Sequence, residues 1–233
     1  MHNFFIDVIG KPGEEVLFPQ SEVKHLFKTL RAASGDMIGL LDGKGARAEA
    51  ELTGDKKIII RKLTEYPEPE TKIHLFVAAP KRNAMDQLLR QCTEAGVWSI
   101  HPLITRYSVA APEKVSDRWR SLLQEACKQS GNTFLPELNS PCSLDQALEK
   151  IKSSGMAAFY GAVSENGMES FRVSRPDIAW LVGPEGGFNE EEERKMSACG
   201  VAALHIGPYI MRVETAAVCG VALLNFCNKD ICS

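Results

Sequence analysis

The chain opens on short apolar runs spaced as strands. Residues 37–41 are an apolar stretch, and residues 47–52 then alternate, with Arg47, Glu49 and Glu51 on one side and Ala48, Ala50 and Leu52 on the other. That period of two is the mark of a half-buried strand. Asp42-Gly43-Lys44-Gly45 between them is a turn signal, so the pair predicts a hairpin. Ile58-Ile59-Ile60 predicts a further strand. One helix is expected over residues 22–33, with Val23, Leu26, Phe27 and Leu30 on its apolar face, Ser21 as N-cap and Gly35 just past its end. At Tyr66-Pro67-Glu68-Pro69-Glu70-Thr71 two prolines and two acids forbid a helix or a central strand. This linker divides the chain into a small β-rich module, residues 1–70, and a larger one, residues 72–233.

In the larger module the pattern alternates between strand and helix. Strands are predicted at 73–79, 100–104, 157–160, 178–182 and 202–206. Helices are predicted from Asn83 to Gly96 with Met85, Leu88, Leu89 and Cys92 inward, over 117–130 with Trp119, Leu122, Leu123 and Ala126 on one face, over 144–151, from the cap residue Asn189, and over 214–226. Such alternation predicts an α/β domain with a mainly parallel sheet. The last helix is apolar or small almost all round, so it is expected to be buried on every side, within the domain or at a subunit interface. Its small residues Ala216, Ala217, Gly220 and Ala222 would admit another backbone.

Composition narrows the function classes. With 233 residues and 44% hydrophobic content the chain can bury a sizeable core, and its net charge of −3 is not that of a general nucleic-acid binder. Residues 71–120, however, hold eight Lys/Arg against four acids, which permits an RNA substrate. No apolar run reaches the length of a bilayer span, and the N-terminal residues lack a basic region followed by an apolar stretch, so a cytoplasmic protein without membrane attachment is expected. The seven cysteines show no CxxC spacing and the five histidines are scattered. Reduced buried thiols and no metal site are therefore the expectation.

Two loops stand out. Leu181-Val182-Gly183-Pro184-Glu185-Gly186-Gly187-Phe188-Asn189-Glu190 lies between a predicted strand and a helix. Ligands of open α/β sheets bind there, and glycines let a backbone approach them closely. Asn189 with Glu192 forms a capping-box start, and the acids at 190–193 would repel a phosphate, so an uncharged or cationic ligand is expected. A mere tight turn is the alternative. The second loop runs from Leu204 through Gly207-Pro208-Tyr209-Ile210-Met211-Arg212 to Glu214-Thr215-Ala216, again between strand and helix. Arg212 so close to an apolar helix needs a partner or is exposed for function. Gly43-Lys44-Gly45-Ala46-Arg47-Ala48 matches GxGxxA, but the alternating strand behind it excludes a dinucleotide site. Lys24, Lys28 and Arg31 share a face of the N-terminal helix, which is either a phosphate grip or an ordinary solvated surface.

Taken together, GPEGGFNEEE and IGPYIMRVETA resemble the bacterial 16S rRNA uridine-N3 methyltransferase family of the SPOUT methyltransferases. His25-Leu26 with Leu30-Arg31 and Gly35-Asp36 is similar to its N-terminal motif. Thr93-Glu94-Ala95-Gly96-Val97 with Pro102-Leu103 and Arg106-Tyr107-Ser108 is similar to its central block, and Trp119, Glu125-Ala126 and Gln129-Ser130-Gly131 to a third. The chain departs from the family pattern at Gln91, Cys92 and Asn132, where positive charge is lost.

The resemblance implies a PUA-like RNA-binding β-barrel over residues 1–70 and a SPOUT α/β domain with a trefoil knot over 72–233. It implies a homodimer, S-adenosyl-L-methionine as cofactor, and 16S rRNA or the small ribosomal subunit as partner. The cofactor would meet Leu181, Gly183, Pro184, Glu185, Gly186, Gly187, Ile206, Gly207, Ile210, Met211, Thr215 and Ala216. RNA would meet Lys24, Lys28, Arg31, Lys81, Arg82 and Arg106. Arg212 is the candidate to stabilise charge developing on the uracil carbonyls. Glu214 or Glu94 would orient Arg212 or accept the N3 proton, with the choice open. The rival reading is a non-catalytic RNA-binding ribosome-assembly factor that keeps the fold.

Overall fold

The structure, a computed structural model, describes residues 1–24, 26, 32–54, 56–109, 112–162 and 176–227. The chain forms two compact units, Met1–Glu68 with Gln124–Leu135, and Pro69–Leu123 with Pro136–Ser233. Among the described residues no helix is long and apolar enough to cross a membrane.

The first unit contains β1 (Asn3–Phe5), β2 (Glu15–Leu17), α1 (Gln20–Lys24), β3 (Met37–Leu41), β4 (Ala46–Gly54) and β5 (Lys57–Glu65). Its five strands pair in the order β1-β3-β4-β5-β2, with β1 parallel to β3 and the other pairs antiparallel. The expected alternation places Ala48, Ala50 and Leu52 in a core with Phe4, Phe18, Leu26, Ile38, Leu40, Ile58 and Ile60. The hairpin turn forms as expected: Asp42 Oδ1 accepts from the Lys44 and Ala46 amides at 2.7 and 2.9 Å. β1 and β2 escape a periodicity reading because three residues are too few to show one. The helix differs at its start. It begins at Gln20, so Ser21 lies inside it rather than capping it. Residues 25 and 27–31, including Lys28, Arg31, Phe27 and Leu30, fall outside the described residues, as does the Lys24 side chain.

Residues 124–135 join this unit although they follow the linker by some fifty positions. The Gly45 amide donates to Thr133 O at 3.0 Å and the Leu135 amide to Gly43 O at 2.9 Å. A Cβ on Gly45, whose φ is +109°, would stand 2.8 Å from the Phe134 ring, so only glycine leaves room for that segment. Lys128 is held by Glu22 at 3.0 Å and Glu125 at 2.7 Å.

Beyond the linker the chain runs β6 (Lys72–Ala78), α2 (Arg82–Glu94), β7 (Ser99–Ile104), α3 (Asp117–Ser130), whose residues from Gln124 on belong to the first unit, β8 (Glu137–Leu138), β9 (Cys142–Ser143), α4 (Leu144–Ser154), β10 (Ala157–Gly161), β11 (Asp177–Val182), α5 (Glu190–Ala198), β12 (Ala202–Leu204) and α6 (Val213–Cys227). The sheet order is β12-β10-β11-β6-β7-β8, with β9 also on β7, and every pairing is parallel. Central strands of such a sheet are covered on both faces, which explains their continuous apolar runs. On one face Phe76, Leu103, Ala158, Ala179 and Leu181 pack against Leu144, Ala147, Leu148 and Ile151 of α4 and Met196 of α5. On the other face α2 and α6 pack together, α6 lying on β6 and β11.

Two sequence expectations change here, and a third is met in part. Asn83 does not cap α2, which starts at Arg82 with Lys81 at the N-cap and no side-chain bond there. β12 stops at Leu204, two residues early. For α6, expected to be buried within the domain or at a subunit interface, the single chain covers one face only. Val213, Ala217, Gly220, Val221 and Leu224 face inward, whereas Thr215, Cys219, Ala222 and Phe226 are exposed. The body that approaches its small residues is the Trp180 side chain of β11, not a backbone. A Cβ on Gly220 would stand 2.1 Å from the indole Cε2, and the indole Nε1 donates to Ala216 O at 3.2 Å.

Candidate active site

Because all strands of the second unit are parallel, their carboxyl ends share one edge. The connection leaving β6 goes to β7 on one side, whereas that leaving β11 passes beyond β10 to β12 on the other. Adjacent strands whose connections diverge open a crevice at that edge, where ligands of such sheets bind. Val77 pairs with Val182 at the divergence. The loops at this edge are 79–81 after β6, 105–109 after β7, 183–189 after β11 and 205–212 after β12, with Gly161 and Ala162 ending β10 between the last two.

The β11 loop is built from backbone. The Gly187 amide donates to Pro184 O at 2.8 Å, and Gly187 itself has φ +71°. A Cβ on Gly183 would meet the Phe188 ring at 3.2 Å and Gly187 C at 3.3 Å, and one on Gly186 would meet Tyr107 at 3.2 Å. Leu181 and Pro184 are buried, Gly183 is half-buried, and Glu185, Gly186 and Gly187 are exposed. Phe188 stacks edge-on against Tyr160 of β10 at 6.0 Å. Burial and the Glu193 carboxylate push the Tyr160 phenol above its ordinary range.

The expected capping box is present. Asn189 Oδ1 accepts from the Glu192 amide at 2.8 Å, and Glu192 Oε2 accepts from the Asn189 amide at 2.9 Å. Glu192 has a second task that the sequence did not announce. It is 9% exposed, and its Oε1 accepts from the Arg106 amide at 2.8 Å. One carboxylate thus ties the β7 loop to the start of α5. The capping spacing identifies half of that role, but the Arg106 bond joins residues 86 positions apart and leaves no local signal.

The β12 loop carries Ile206, Gly207 and Met211 half-buried, with Tyr209 at 84% and Ile210 at 80% exposed. Two large apolar side chains left in water mark a surface awaiting contact. Arg212 is exposed and Glu214 half-buried at the mouth of α6, beside exposed Thr215 and half-buried Ala216. The bond from Trp180 to Ala216 O anchors this mouth to β11. β12 and β11 flank β10, so the two loops stand roughly 10 Å apart, two strand spacings, across Gly161 and Ala162.

The structure therefore brings together both predicted loops, Arg212 and Glu214, with Lys81, Arg82 and Arg106 exposed along the same edge. It does not bring Glu94 there within one chain. Asn225 near the end of α6 donates to Ala95 O at 2.9 Å, which places Glu94 by the far end of that helix. At 1.5 Å per residue, that end is roughly 18 Å from Val213.

A second polar constellation lies toward the amino ends of the strands, between histidines that look scattered in sequence. Asp177 Oδ1 is 3.0 Å from His74 Nε2, Ser99 Oγ is 2.7 Å from His74 Nδ1, and His101 Nε2 is 2.9 Å from Ser99 Oγ. Ser99 and His101 are 1% and 2% exposed. Burial, helped by the Lys150 and His74 charges, drives His101 down to about 3, so it stays neutral.

The chain matches the RNA methyltransferase domain family over residues 67–225 and the RNA methyltransferase PUA domain over residues 18–63. It is 28% identical over 222 residues to the ribosomal RNA small subunit methyltransferase E of Synechocystis, covering 90% of this chain and 72% of that one. It is 27% identical over 233 residues to the protein of the same description from Aquifex aeolicus, covering 96% and 99%. Among solved structures, a ribosomal RNA small subunit methyltransferase E from Neisseria gonorrhoeae bound to S-adenosyl methionine is similar over 100% of both chains, with a TM-score of 0.90 at 27% identity. With one domain profile spanning most of its length and its paired loops at the expected edge, the chain belongs to the RNA methyltransferase family.

Proposed function

We propose that this chain transfers a methyl group from S-adenosyl-L-methionine to N3 of a uridine in small-subunit ribosomal RNA. The observation that carries the reading is the pair of glycine-bearing loops, 183–189 and 205–212, facing each other across Gly161 and Ala162. Residues 1–70 serve as the RNA-binding PUA-like part and 72–233 as the catalytic part.

The residues fit the cofactor. A Cβ at Gly183 or Gly186 would crowd Phe188 or Tyr107 and Gly187 needs a positive φ, so glycine keeps peptide N–H and C=O groups available to line the crevice. Glu185 and the acids Glu190 to Glu193 make the β11 loop and the start of α5 electronegative, so that loop favours a cation over a phosphate. When bound, S-adenosyl-L-methionine supplies a methyl made electrophilic by its sulfonium. With the cofactor bound, Pro184, Ile206, Met211 and Ala216 would keep water from it, above Leu181 in the core beneath. Ile210 and Thr215 cover it from the exposed side. Arg212 places a guanidinium where the uracil carbonyl oxygens gain negative charge as N3 loses its proton. Glu214, two residues on, orients Arg212 or takes that proton. N3 faces the pairing partner in a duplex, so the target base is unpaired or flipped out.

Two chains pair through the exposed stripe of α6, Thr215, Cys219, Ala222 and Phe226, the last 61% exposed. A Phe226→Asp variant is expected to elute as a monomer in size-exclusion chromatography with light scattering. The work takes place in the cytoplasm, where ribosomal subunits are found.

The test is incubation with S-adenosyl-L-methionine carrying a labelled methyl and unmodified small ribosomal subunits, then nucleoside mass spectrometry. Labelled N3-methyluridine is expected. Cofactor binding without any label in RNA would favour the assembly-factor reading, and absence of both would overturn the methyltransferase reading.

A further inference from the structure

Outside the loop crevice, one guanidinium binds a buried carboxylate and two more flank it along the same helix. Arg82, Asp86 and Arg90 stand at successive four-residue steps of α2 and so share one side of it, over about 12 Å of axis. Arg118, in the first turn of α3, reaches Asp86 with two bonds: Nε donates to Oδ1 at 3.3 Å and an Nη donates to Oδ2. Asp86 is 6% exposed, whereas the Arg118 side chain is 49% exposed and Arg82 and Arg90 are exposed. The Arg118 bonds, then the Arg90 and Arg82 charges, hold the Asp86 carboxyl below its ordinary range against the effect of burial.

A fold that only had to neutralise Asp86 would need one partner. Arg82 and Arg90 make no ion pair within 4 Å among the described residues, and they add like charges that repel Arg118 and each other. That arrangement holds more positive charge than one carboxylate neutralises and suits a polyanion. Lys81 at the N-cap of α2 extends the positive stretch to the carboxyl edge, and Glu94, four residues beyond Arg90, ends it. Arg118 keeps three of its five N–H donors free after binding Asp86, fixed in direction by the fork.

We propose that Arg82, Arg90 and Arg118 grip successive phosphates of the RNA substrate, with Asp86 as the residue that positions Arg118. The proposal rests on the reading of the chain as an RNA methyltransferase. The gripped strand runs along α2 toward the loops at the carboxyl edge, where the target base is presented. Such contacts fix register without reading sequence. About 12 Å of helix spans a few phosphate repeats of one nucleic-acid strand.

The experiment measures binding of unmodified small-subunit rRNA fragments by fluorescence anisotropy over a salt series, with cofactor affinity determined by calorimetry as the control for folding. Arg90→Ala and Arg118→Ala are each expected to flatten the slope of log K against log salt by about 0.7 for single-stranded contact, across RNA sequences alike. Lys152→Ala, which removes an exposed charge on α4, is expected to leave the slope unchanged. Arg118→Lys keeps the charge but loses the fork, and should resemble Arg118→Ala. Asp86→Asn adds net positive charge, so a role through the general field predicts tighter binding and a steeper slope, whereas a positioning role predicts a flatter one. Unchanged slopes for Arg90→Ala and Arg118→Ala, with RNA still bound, overturn the grip alone. The same holds if the two variants lose binding to polyglutamate but not to RNA, which would mark a protein-facing surface. Failure of the unaltered chain to bind RNA at all, with cofactor affinity intact, overturns the RNA-substrate reading beneath it.

Discussion

Gly220→Ala is the substitution for which local propensity and tertiary packing predict opposite signs. In a helix interior alanine is favoured over glycine by about 1 kcal/mol, so propensity alone predicts a more stable protein. The structure predicts the reverse. The new Cβ would lie 2.1, 2.2 and 2.6 Å from Cε2, Nε1 and Cζ2 of Trp180, distances at which something must shift. Trp180 is 0% exposed and its indole is bonded to α6, so it cannot swing out to solvent. Overpacking of this kind costs roughly 1–3 kcal/mol. Displacing the indole also strains its bond to Ala216 O, a further loss of about 1 kcal/mol. Set against the propensity gain, the net effect is a destabilisation of about 2 kcal/mol. Urea unfolding followed by far-ultraviolet circular dichroism measures it, as a lower midpoint at constant m. A shift upward, by the amount propensity supplies, would refute the packing argument. Trp180→Phe removes the indole atoms nearest the new methyl, so the double variant should be more stable than the sum of the singles, a coupling measurable by a double-mutant cycle. Because α6 carries Thr215 and Ala216 at its mouth, Gly220→Ala should also weaken cofactor binding at temperatures where the protein remains folded.

Acid should expose the cost of keeping His101 neutral. Its folded value, about 3, lies below the ordinary 6.5, so the unfolded chain takes up the proton first. The stability held by the neutral form is complete above pH 6.5 and falls by about 1.4 kcal/mol per unit as pH drops toward 3. Stability measured between pH 7 and pH 4.5 should therefore decline more steeply for the unaltered chain than for His101→Gln, and parallel profiles would exclude His101 as the source. Glu192→Ala removes a helix cap worth about 1 kcal/mol and frees the Arg106 amide. Thermal unfolding should register the loss, and calorimetry should show weaker cofactor binding because the β7 loop is no longer tied to α5. Arg212→Ala should abolish methyl transfer to rRNA while sparing cofactor affinity, and loss of that affinity would move Arg212 from the reaction to the cofactor site.

The sequence by itself determined most local structure and the position of the two loops. Period-two alternation at 47–52, the Asp42 turn, the capping box of Asn189 and Glu192, and the strand-helix alternation after the linker are encoded within a few residues, because each depends on neighbours in the chain. So is the glycine content of the loop after β11, which a close-packed backbone turn requires. What joins distant segments was decided only by the tertiary structure. Residues 124–135 cross back to the first unit because Gly45 leaves room for Phe134 and Gly43 for Leu135, and neither end of that contact carries a mark of the other. Glu192 reaches Arg106, Trp180 occupies the space beside Gly220, and His74 meets His101 through Ser99, all by way of sheet register. α6 reads as apolar on every side, yet within one chain the sheet and α2 cover only one face, since burial depends on which neighbours a helix meets rather than on its own residues. The motif resemblance groups Glu94 with Arg212, and within one chain the length of α6 lies between them. Local chemistry is written in short-range spacing, whereas the meeting of charges and of close-packed surfaces follows from strand order, which no short window of residues contains.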